Sequence, residues 1–354
     1  MHKCCLAMIV KNESHVIARA IKSAVGYVDC YCIADTGSTD DTKKTIRKVT
    51  EETKISGEVF DIEWKGFGDA RTRVLDKIRE LNLAKYALVL DADESLEGDE
   101  KIPDLGTATK GNVLIQTEGI EFWTPRILDM SMPWVYEGTV HEVPIAEGAI
   151  DTKYEGFRIV HGADGATWHN PNKYNEHVEL AKNQDLSVPR HQFYLAQSLR
   201  AAGRLQEALV EYRKRVKMRG GWYQEAVYSQ LQIGRIYKWW GENERALLEF
   251  MKCYEMDQDR SEALYEMLCT ARVLGLFKTG KMFGEELLKK KDTNTEKLFV
   301  ERIKWDSVYM ELGLCCYYTG DKRDAKRMWE KILEVSGASE EMVEQAKKNL
   351  EFCL

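Results

Sequence analysis

The chain has 354 residues, 44% of them hydrophobic and 31% charged, with a formal net charge of −7. That length exceeds what one core usually organises, so two domains are expected, and the composition excludes a disordered or fibrous chain. The acidic balance argues against a general polyanion-binding surface, and no nucleic-acid partner is expected.

Cys4–Val10 reads as a first strand. It is apolar but too short to span a membrane, and Lys11-Asn12-Glu13 ends it without the small residues of a leader cleavage site. Ser14–Val25 places Val16, Ile17, Ala20, Ile21, Ala24 and Val25 on a 3.6-residue period, which predicts a helix. Val28–Ala34 is a second strand ending at Asp35. Ser38 or Thr39 is expected to cap a helix running to about Glu52, with Asp40 and Asp41 favourable to the dipole of its first turn. Val59–Trp64 is a third strand, Gly68–Leu81 a third helix and Tyr86–Leu90 a fourth strand. Repeated β-α units predict an α/β domain, a mainly parallel sheet with helices on both faces. From Gly111 to His161 the pattern changes to short runs with many Gly, Pro and Trp, which suggests mixed strands and loops folded over the sheet's C-terminal edge.

After roughly Pro189 the chain reads as helical and repeats internally. Leu195-Ala196, Gly203, Ala208 and Tyr212 recur as Ile233-Gly234, Gly241, Ala246 and Phe250, and again as Leu312-Gly313, Gly320, Ala325 and Trp329. A degenerate copy, Met267-Leu268 with Gly275 and Gly280, lies between the second and the last. This resembles the tetratricopeptide repeat, a helix-turn-helix unit with small residues where helices cross and an aromatic against its neighbour. The expected domains are residues 1–185 and 186–354. No segment approaches transmembrane length, so a cytoplasmic protein, at most peripheral to a membrane, is expected. Nine cysteines, among them Cys4-Cys5, Cys30-x-Cys32 and Cys315-Cys316, lack metal-ligand spacing and read as buried free thiols in a reducing compartment.

The tetrapeptide Asp91-Ala92-Asp93-Glu94 follows Tyr86–Leu90, at a strand's C-terminal end, where open α/β sheets bind ligands. Alternation along an extended chain would point Asp91 and Asp93 the same way, making a hard oxygen site for Mg²⁺ or Mn²⁺ shared with substrate phosphates. Alone, the tetrapeptide also reads as a solvated acidic turn. Its company changes that reading: Met8-Ile9-Val10-Lys11-Asn12-Glu13, Asp35-Thr36-Gly37-Ser38-Thr39-Asp40-Asp41-Thr42 and Ala70-Arg71 precede it.

In this order and spacing, these segments resemble the family-2 glycosyltransferases of the GT-A fold, over about residues 3 to 170. Gly138-Thr139-Val140-His141-Glu142 and Ile159-Val160-His161-Gly162 match a subgroup that carries C-terminal tetratricopeptide repeats. The enzymes most alike are bacterial and viral and glycosylate peptides or surface glycans. The resemblance implies a metal-dependent transfer of sugar from a nucleotide sugar, a UDP-sugar in the first instance, to a glycan or polypeptide, with inversion. The repeats would bind a polypeptide acceptor, mediate a homodimer, or both.

Within that resemblance, Val10, Asn12 and Glu13 can line the base and ribose pocket, and the Asp35 carboxylate can accept the uracil N3–H; a turn-capping role for Asp35 is the alternative. Arg71 faces the nucleotide, where a guanidinium suits a uracil carbonyl or phosphate. Asp93 binds the metal directly, while Asp91, with Ala92 beside it at the donor, holds the ribose or a metal-bound water. His161 is the further metal ligand; His169, His177 and His191 compete on chemistry but not on motif. For the general base the candidates are Glu142, Glu137, Glu94 and His141, with Glu142 preferred for its place after Val140-His141. This departs from the Glu-Asp dipeptide of many relatives. Trp123, Trp134 and Tyr136 are candidates for stacking on an acceptor or for core packing. Two other readings are a catalytically silent repeat scaffold with a vestigial nucleotide-sugar domain, and a nucleotidyltransferase. Intact Asp35, Arg71, Asp91 and Asp93 argue against the first, and the absence of a glycine-rich basic first loop against the second.

Overall fold

A computed structural model describes residues 2–353 apart from 100, 102, 118–119, 140, 163, 167–169, 291–296 and 302. The chain divides into two compact units, Met1–Leu186 and Ser187–Leu354.

The N-terminal unit opens with β1 (His2–Val10), α1 (Ile17–Ala24), β2 (Cys30–Asp35), α2 (Thr42–Thr53), β3 (Ser56–Asp61), α3 (Phe67–Glu80) and β4 (Ala84–Val89). β1 lies between β2 and β4 and β3 flanks β2, every pair parallel, giving the order β3-β2-β1-β4. Burial on both faces explains why β1 is apolar without alternation. Cys4, Leu6, Met8 and Val10 pack with Ile17, Ile21 and Ile46 of α1 and α2, while Cys5 and Ala7 meet Ala70, Val74 and Ile78 of α3. The parallel crossovers place the ends of β1, β2 and β4 along one edge, so Val10, Asp35 and the turn after Val89 become neighbours.

β5 (Glu94–Gly98), β6 (Lys110–Gln116), β7 (Ile120–Asp129) and β10 (Asp151–His161) continue the sheet in the order β4-β7-β6-β10-β5. The Gly111–His161 region therefore extends the sheet sideways rather than only folding over its edge, as expected from sequence. The exception is the hairpin β8 (Val135–Glu137) and β9 (Val143–Ile145). It packs on α3 because Gly68 has no side chain: a Cβ there would lie 2.9 Å from the Gly138 carbonyl oxygen. Thr72 Oγ1 fixes the contact by accepting from Tyr136 N at 2.9 Å. α4 (Lys173–Lys182) closes the unit.

The C-terminal unit is a run of paired helices: α5 (Pro189–Ala201) with α6 (Leu205–Lys217), α7 (Tyr223–Trp239) with α8 (Asn243–Met256), α9 (Ser261–Val273) with α10 (Phe277–Leu287), α11 (Trp305–Tyr318) with α12 (Lys322–Glu334), then α13 (Glu340–Glu351). The repeat residues hold the positions that the pairs require. Gly203, Gly241, Gly275 and Gly320 take φ of 74°, 77°, 72° and 87° at the four turns, the left-handed conformation that ends a helix at least cost in glycine. A Cβ on Gly234 or Gly313 would collide with the ring of Phe250 or Trp329, so small residue and aromatic fit as knob and hole. The degenerate copy exchanges the two: Leu268 stands at the small position and Gly284 at the aromatic one, with Gly284 receiving Leu312. All nine cysteines are free thiols, eight of them buried and Cys353 half-buried.

Gly313→Ala tests this fit. In an open helix interior the change stabilises by about 0.5–1 kcal/mol, whereas overpacking against Trp329 costs about 1–3 kcal/mol. Thermal denaturation should show a melting temperature lowered by several degrees.

Candidate active site

The loops after β1 and β2 are locked together before any ligand is considered. Asn12, at φ 58°, donates its backbone N–H to Ser38 Oγ at 3.0 Å and accepts from Thr39 N on Oδ1 at 2.7 Å. Glu13 N donates to Thr42 Oγ1 at 2.8 Å, and Ser14 N to Asp40 Oδ2 at 3.1 Å. Asp40 also accepts from Thr42 N, and these donors outweigh its partial burial, holding its carboxyl down at about 2. Asp40, rather than Ser38 or Thr39, thus makes the side-chain bond at the start of α2, because Ser38 is committed to Asn12. Val10 is buried, and its carbonyl accepts from Thr36 N and Oγ1.

Asp35 ends β2 fully buried. Its Oδ1 accepts from Gly37 N at 2.8 Å and Ser38 N at 2.7 Å, which is the turn-capping role. Its Oδ2 has no hydrogen-bond partner among the described residues. Since burying an unpaired carboxylate oxygen is costly, that atom is available to a donor supplied from outside.

The acidic tetrapeptide is a turn, not a strand extension. β4 stops at Val89, Glu94 N closes on the Asp91 carbonyl at 3.1 Å, and Glu94 Oε2 accepts from Asp91 N at 2.8 Å. Alternation along a strand consequently does not apply, and the aspartates go to different partners. Asp91 Oδ1 accepts from Arg71 Nη2 at 2.6 Å, with Arg126 Nη1 at 3.6 Å from Oδ2. Burial alone would raise its pKa, but Arg71 and Arg126 together hold it well below the usual carboxylate range. Asp93 Oδ2 instead accepts from Gly165 N at 3.3 Å, while its carbonyl accepts from Gly162 N at 2.8 Å. Ala92 is buried between them.

Glu142, from the β8–β9 connection, accepts from Arg71 Nε at 2.6 Å, so Arg71 bridges it to Asp91. Arg71 Nη1 is buried without a partner among the described residues. Tyr136 covers this guanidinium at 5.9 Å from its ring centroid, and burial pushes its phenol up to about 12. Trp134 is a core residue, its indole N–H donating to the Asp129 carbonyl, and Trp123 lies in β7 under Lys153. His177 is in α4 and His191 in α5; His169 and Val140 lie outside the described residues.

Two features escaped sequence reasoning. Arg126 belongs to no motif; it enters the site because β7 runs antiparallel to β4, Leu88 opposite Ile127, and it donates to Glu94 Oε1 at 2.6 Å. An arginine inside the apolar run of β7 was the available signal. Burial nevertheless raises the Glu94 carboxyl to about 7 despite Arg126. The second is the loop 162–166. Arg19 of α1 grips Asp164 through both guanidinium nitrogens, and Ala166 N donates to both oxygens of Glu13, whose pKa burial raises. Glu13 thereby anchors the loop that carries Gly165 to Asp93.

Among the described residues, no cluster of three or more His, Cys, Asp or Glu side chains forms a metal cage. His161 Nδ1, at the end of β10, lies 3.9 Å from both Asp93 Oδ1 and Glu94 Oε1. Glu94 is in addition held by Arg126 at 2.6 Å.

The N-terminal unit is a GT-A-like mixed α/β domain, with Val10, Asp35 and the acidic turn gathered at the C-terminal ends of its parallel strands. Residues 5–112 match the family model Glycosyl transferase family 2, and the C-terminal unit consists of tetratricopeptide-like helix pairs. No curated protein matches the sequence. Similar solved structures include YrrB, a TPR protein described as having an unusual peptide-binding site (12% identity, 50% of this chain and 84% of that one, TM-score 0.40). MamA (14%, 50% and 92%, 0.39) and a tetratricopeptide repeat protein from Parabacteroides merdae (15%, 51% and 67%, 0.40) are also similar. No helix among the described residues is long and apolar enough to cross a membrane.

Arg126→Ala should destabilise the protein by about 3–5 kcal/mol, the usual cost of breaking a buried pair. Without Arg126 the Glu94 carboxyl, already raised to about 7, rises further. A folded-state pKa above the unfolded one gives stability that is present at low pH and lost as pH rises through it. The deficit measured by denaturant unfolding should therefore be larger at about pH 8 than at about pH 5.

Proposed function

We propose that the N-terminal unit transfers a sugar from a UDP-sugar to a glycan or polypeptide acceptor, with inversion and with Mn²⁺ or Mg²⁺ bound. The single observation that supports it best is the buried, unpartnered Asp35 Oδ2 on the same sheet edge as Arg71 and Asp93. A uracil N3–H answers the need of Asp35, whose Oδ1 stays with the turn. Val10, Asn12 and Glu13 shape the floor and Ala92 the wall of the donor pocket, with Asp91 directed to the ribose or to Arg71.

Asp93 and His161 would hold the ion, which would supply Lewis-acid stabilisation of the departing diphosphate. Asp91, whose carboxylate accepts from Arg71, would not be a direct ligand of the ion. The acceptor X–H attacks the anomeric carbon as the bond to the β-phosphate oxygen breaks, and Glu142 receives the acceptor's proton. In the ligand-free ion pair Glu142 is tied to Arg71. Diphosphate oxygens compete for that guanidinium and release the carboxylate, so the base is unmasked only when donor is present. The uridine diphosphate leaves with its negative charge held by Arg71.

Isothermal titration with UDP should show Mn²⁺-dependent binding in the native protein and none in Asp93→Ala. Mn²⁺-dependent affinity undiminished in that variant would reject the metal assignment. Glu142→Gln should lower transfer by ~10²–10⁴-fold without weakening UDP binding, because it frees Arg71 for phosphate. Weakened UDP binding with unchanged turnover would make Glu142 a holder of Arg71 and not a base.

A further inference from the structure

The helix pairs of the C-terminal unit leave large apolar side chains exposed at the tips of their turns. Trp239, Val273 and Tyr318 hold the same repeat position, two residues before the turn glycines Gly241, Gly275 and Gly320. Trp239 is 79% exposed and Tyr318 60%, and Val273 and Leu276, on either side of Gly275, are exposed as well. Neighbouring tips touch. The Phe277 ring at the start of α10 stacks on Tyr318 at 4.5 Å, and Tyr317 meets Tyr318 edge-on at 5.6 Å. Phe352, after α13, is 62% exposed and lies 6.4 Å from Tyr317. Leu276, Phe277, Tyr318 and Phe352 thus form one apolar patch, with Trp239 at the equivalent tip of the preceding pair.

Packing of the repeats does not call for these residues, and contiguous exposed apolar surface marks a site of interaction. The charges around the patch narrow the partner. Asp321 and Asp324 are taken by Lys281, at 2.7 and 3.6 Å, and Glu311 by Arg272. Lys278, Lys322 and Arg323, which flank Phe277 and Tyr318, are exposed and form no ion pair among the described residues. In a chain of net charge −7 this is a local surplus of cations around an apolar patch. Aromatic rings fringed by Lys and Arg suit a bilayer surface, where the rings sit at headgroup depth and the cations meet anionic headgroups. A second copy of the chain suits the patch less well. A two-fold contact through it would set the same cations against each other.

We propose that this edge of the helix pairs is a docking surface for a membrane leaflet containing anionic lipid. Trp239, Leu276, Tyr318 and Phe352 enter the headgroup layer, and Lys278, Lys322 and Arg323 meet the anionic groups of the lipids. The attachment is peripheral, made by the tips of turns, and needs no spanning segment. It rests on the C-terminal unit alone and stands apart from the transfer chemistry. Each cation held near an anionic leaflet strengthens binding about fivefold, an effect that salt screens.

The test is flotation of the full chain with vesicles of phosphatidylcholine, alone or with about 30% phosphatidylserine. The native protein should float with the anionic vesicles, partition at least about tenfold more weakly onto phosphatidylcholine alone, and be released by high salt. Tyr318→Ser/Phe352→Ser, checked for its fold by circular dichroism, should lose at least about tenfold in partitioning. Lys322→Glu/Arg323→Glu should remove the preference for phosphatidylserine. Trp239→Ser changes a largely exposed side chain and should weaken binding too, so it carries the apolar arm of the test if the first double variant does not fold. Native protein that stays unbound with anionic vesicles overturns the proposal, as does binding that the folded variants leave unchanged. Light scattering covers the other occupant: a native dimer that Tyr318→Ser/Phe352→Ser dissociates, with no vesicle binding, assigns the patch to a second copy and overturns the proposal equally.

Discussion

A guanidinium cannot be buried alone, and the N-terminal site is arranged around the consequence. Arg71 lies on α3, beneath the β8–β9 hairpin, with Asp91 on one side and Glu142 on the other. Moving such an ion out of water costs several kcal/mol, so both carboxylates are needed to keep it there. Each belongs to a different part of the chain: Asp91 to the turn after β4, Glu142 to the hairpin connection. The ion pairs therefore do positional work, drawing the hairpin and the acidic turn to the same helix. Gly68, one turn before Arg71, and Thr72, next to it, make that approach sterically possible.

Arg126 extends the network to a second guanidinium, and with it the charge balance of the site becomes specific. Two arginines meet Asp91, Glu142 and Glu94, so one excess negative charge remains if all three carboxyls ionise. Burial places the strain on Glu94, the carboxyl least exposed to water, and lifts it to about 7. Asp91, which sees both arginines, stays ionised. The turn thus contains three carboxylates with three different sets of neighbours, because Asp93 faces Gly165 and His161 instead. A linear motif of acidic residues conceals this division completely.

What could be read from sequence follows from how local the causes are. The β-α alternation, the buried character of β1 and the glycine turns of the repeats are set by neighbours in the chain, and they were legible. So was the exceptional nature of Asp35, Arg71 and the Asp91–Glu94 tetrapeptide. Arg126 was not, because its role depends on β7 inserting antiparallel beside β4, a pairing across nearly forty residues. Nor was the turn geometry that separates Asp91 from Asp93: the strand pattern of Tyr86–Leu90 carries no mark of where it ends. The third repeat looks degenerate in sequence because Leu268 stands where the other copies carry Ala or Gly, and the space beside Gly284 is filled by Leu312 of the next helix pair, which no pattern within one repeat shows.

The motif residues of the first two loops show why a sequence signature need not be a list of ligand contacts. Asn12, Glu13, Ser38, Thr39, Asp40 and Thr42 spend most of their hydrogen bonds on one another or on loop 162–166. Short polar side chains are the ones that can satisfy backbone N–H groups in irregular segments, where no ladder exists to do so. Their constraint is structural, yet its effect is chemical: the lattice fixes the hydrogen bonds of the Asp35 turn, leaves Oδ2 without a donor among the described residues, and ties Glu13 to Ala166, one residue after the Gly165 that reaches Asp93. An oxygen left unsatisfied in a flexible loop would find water or a new partner. In this lattice Asp35 Oδ2 has no protein donor among the described residues, so its acceptor capacity stays open to water or to a donor from outside.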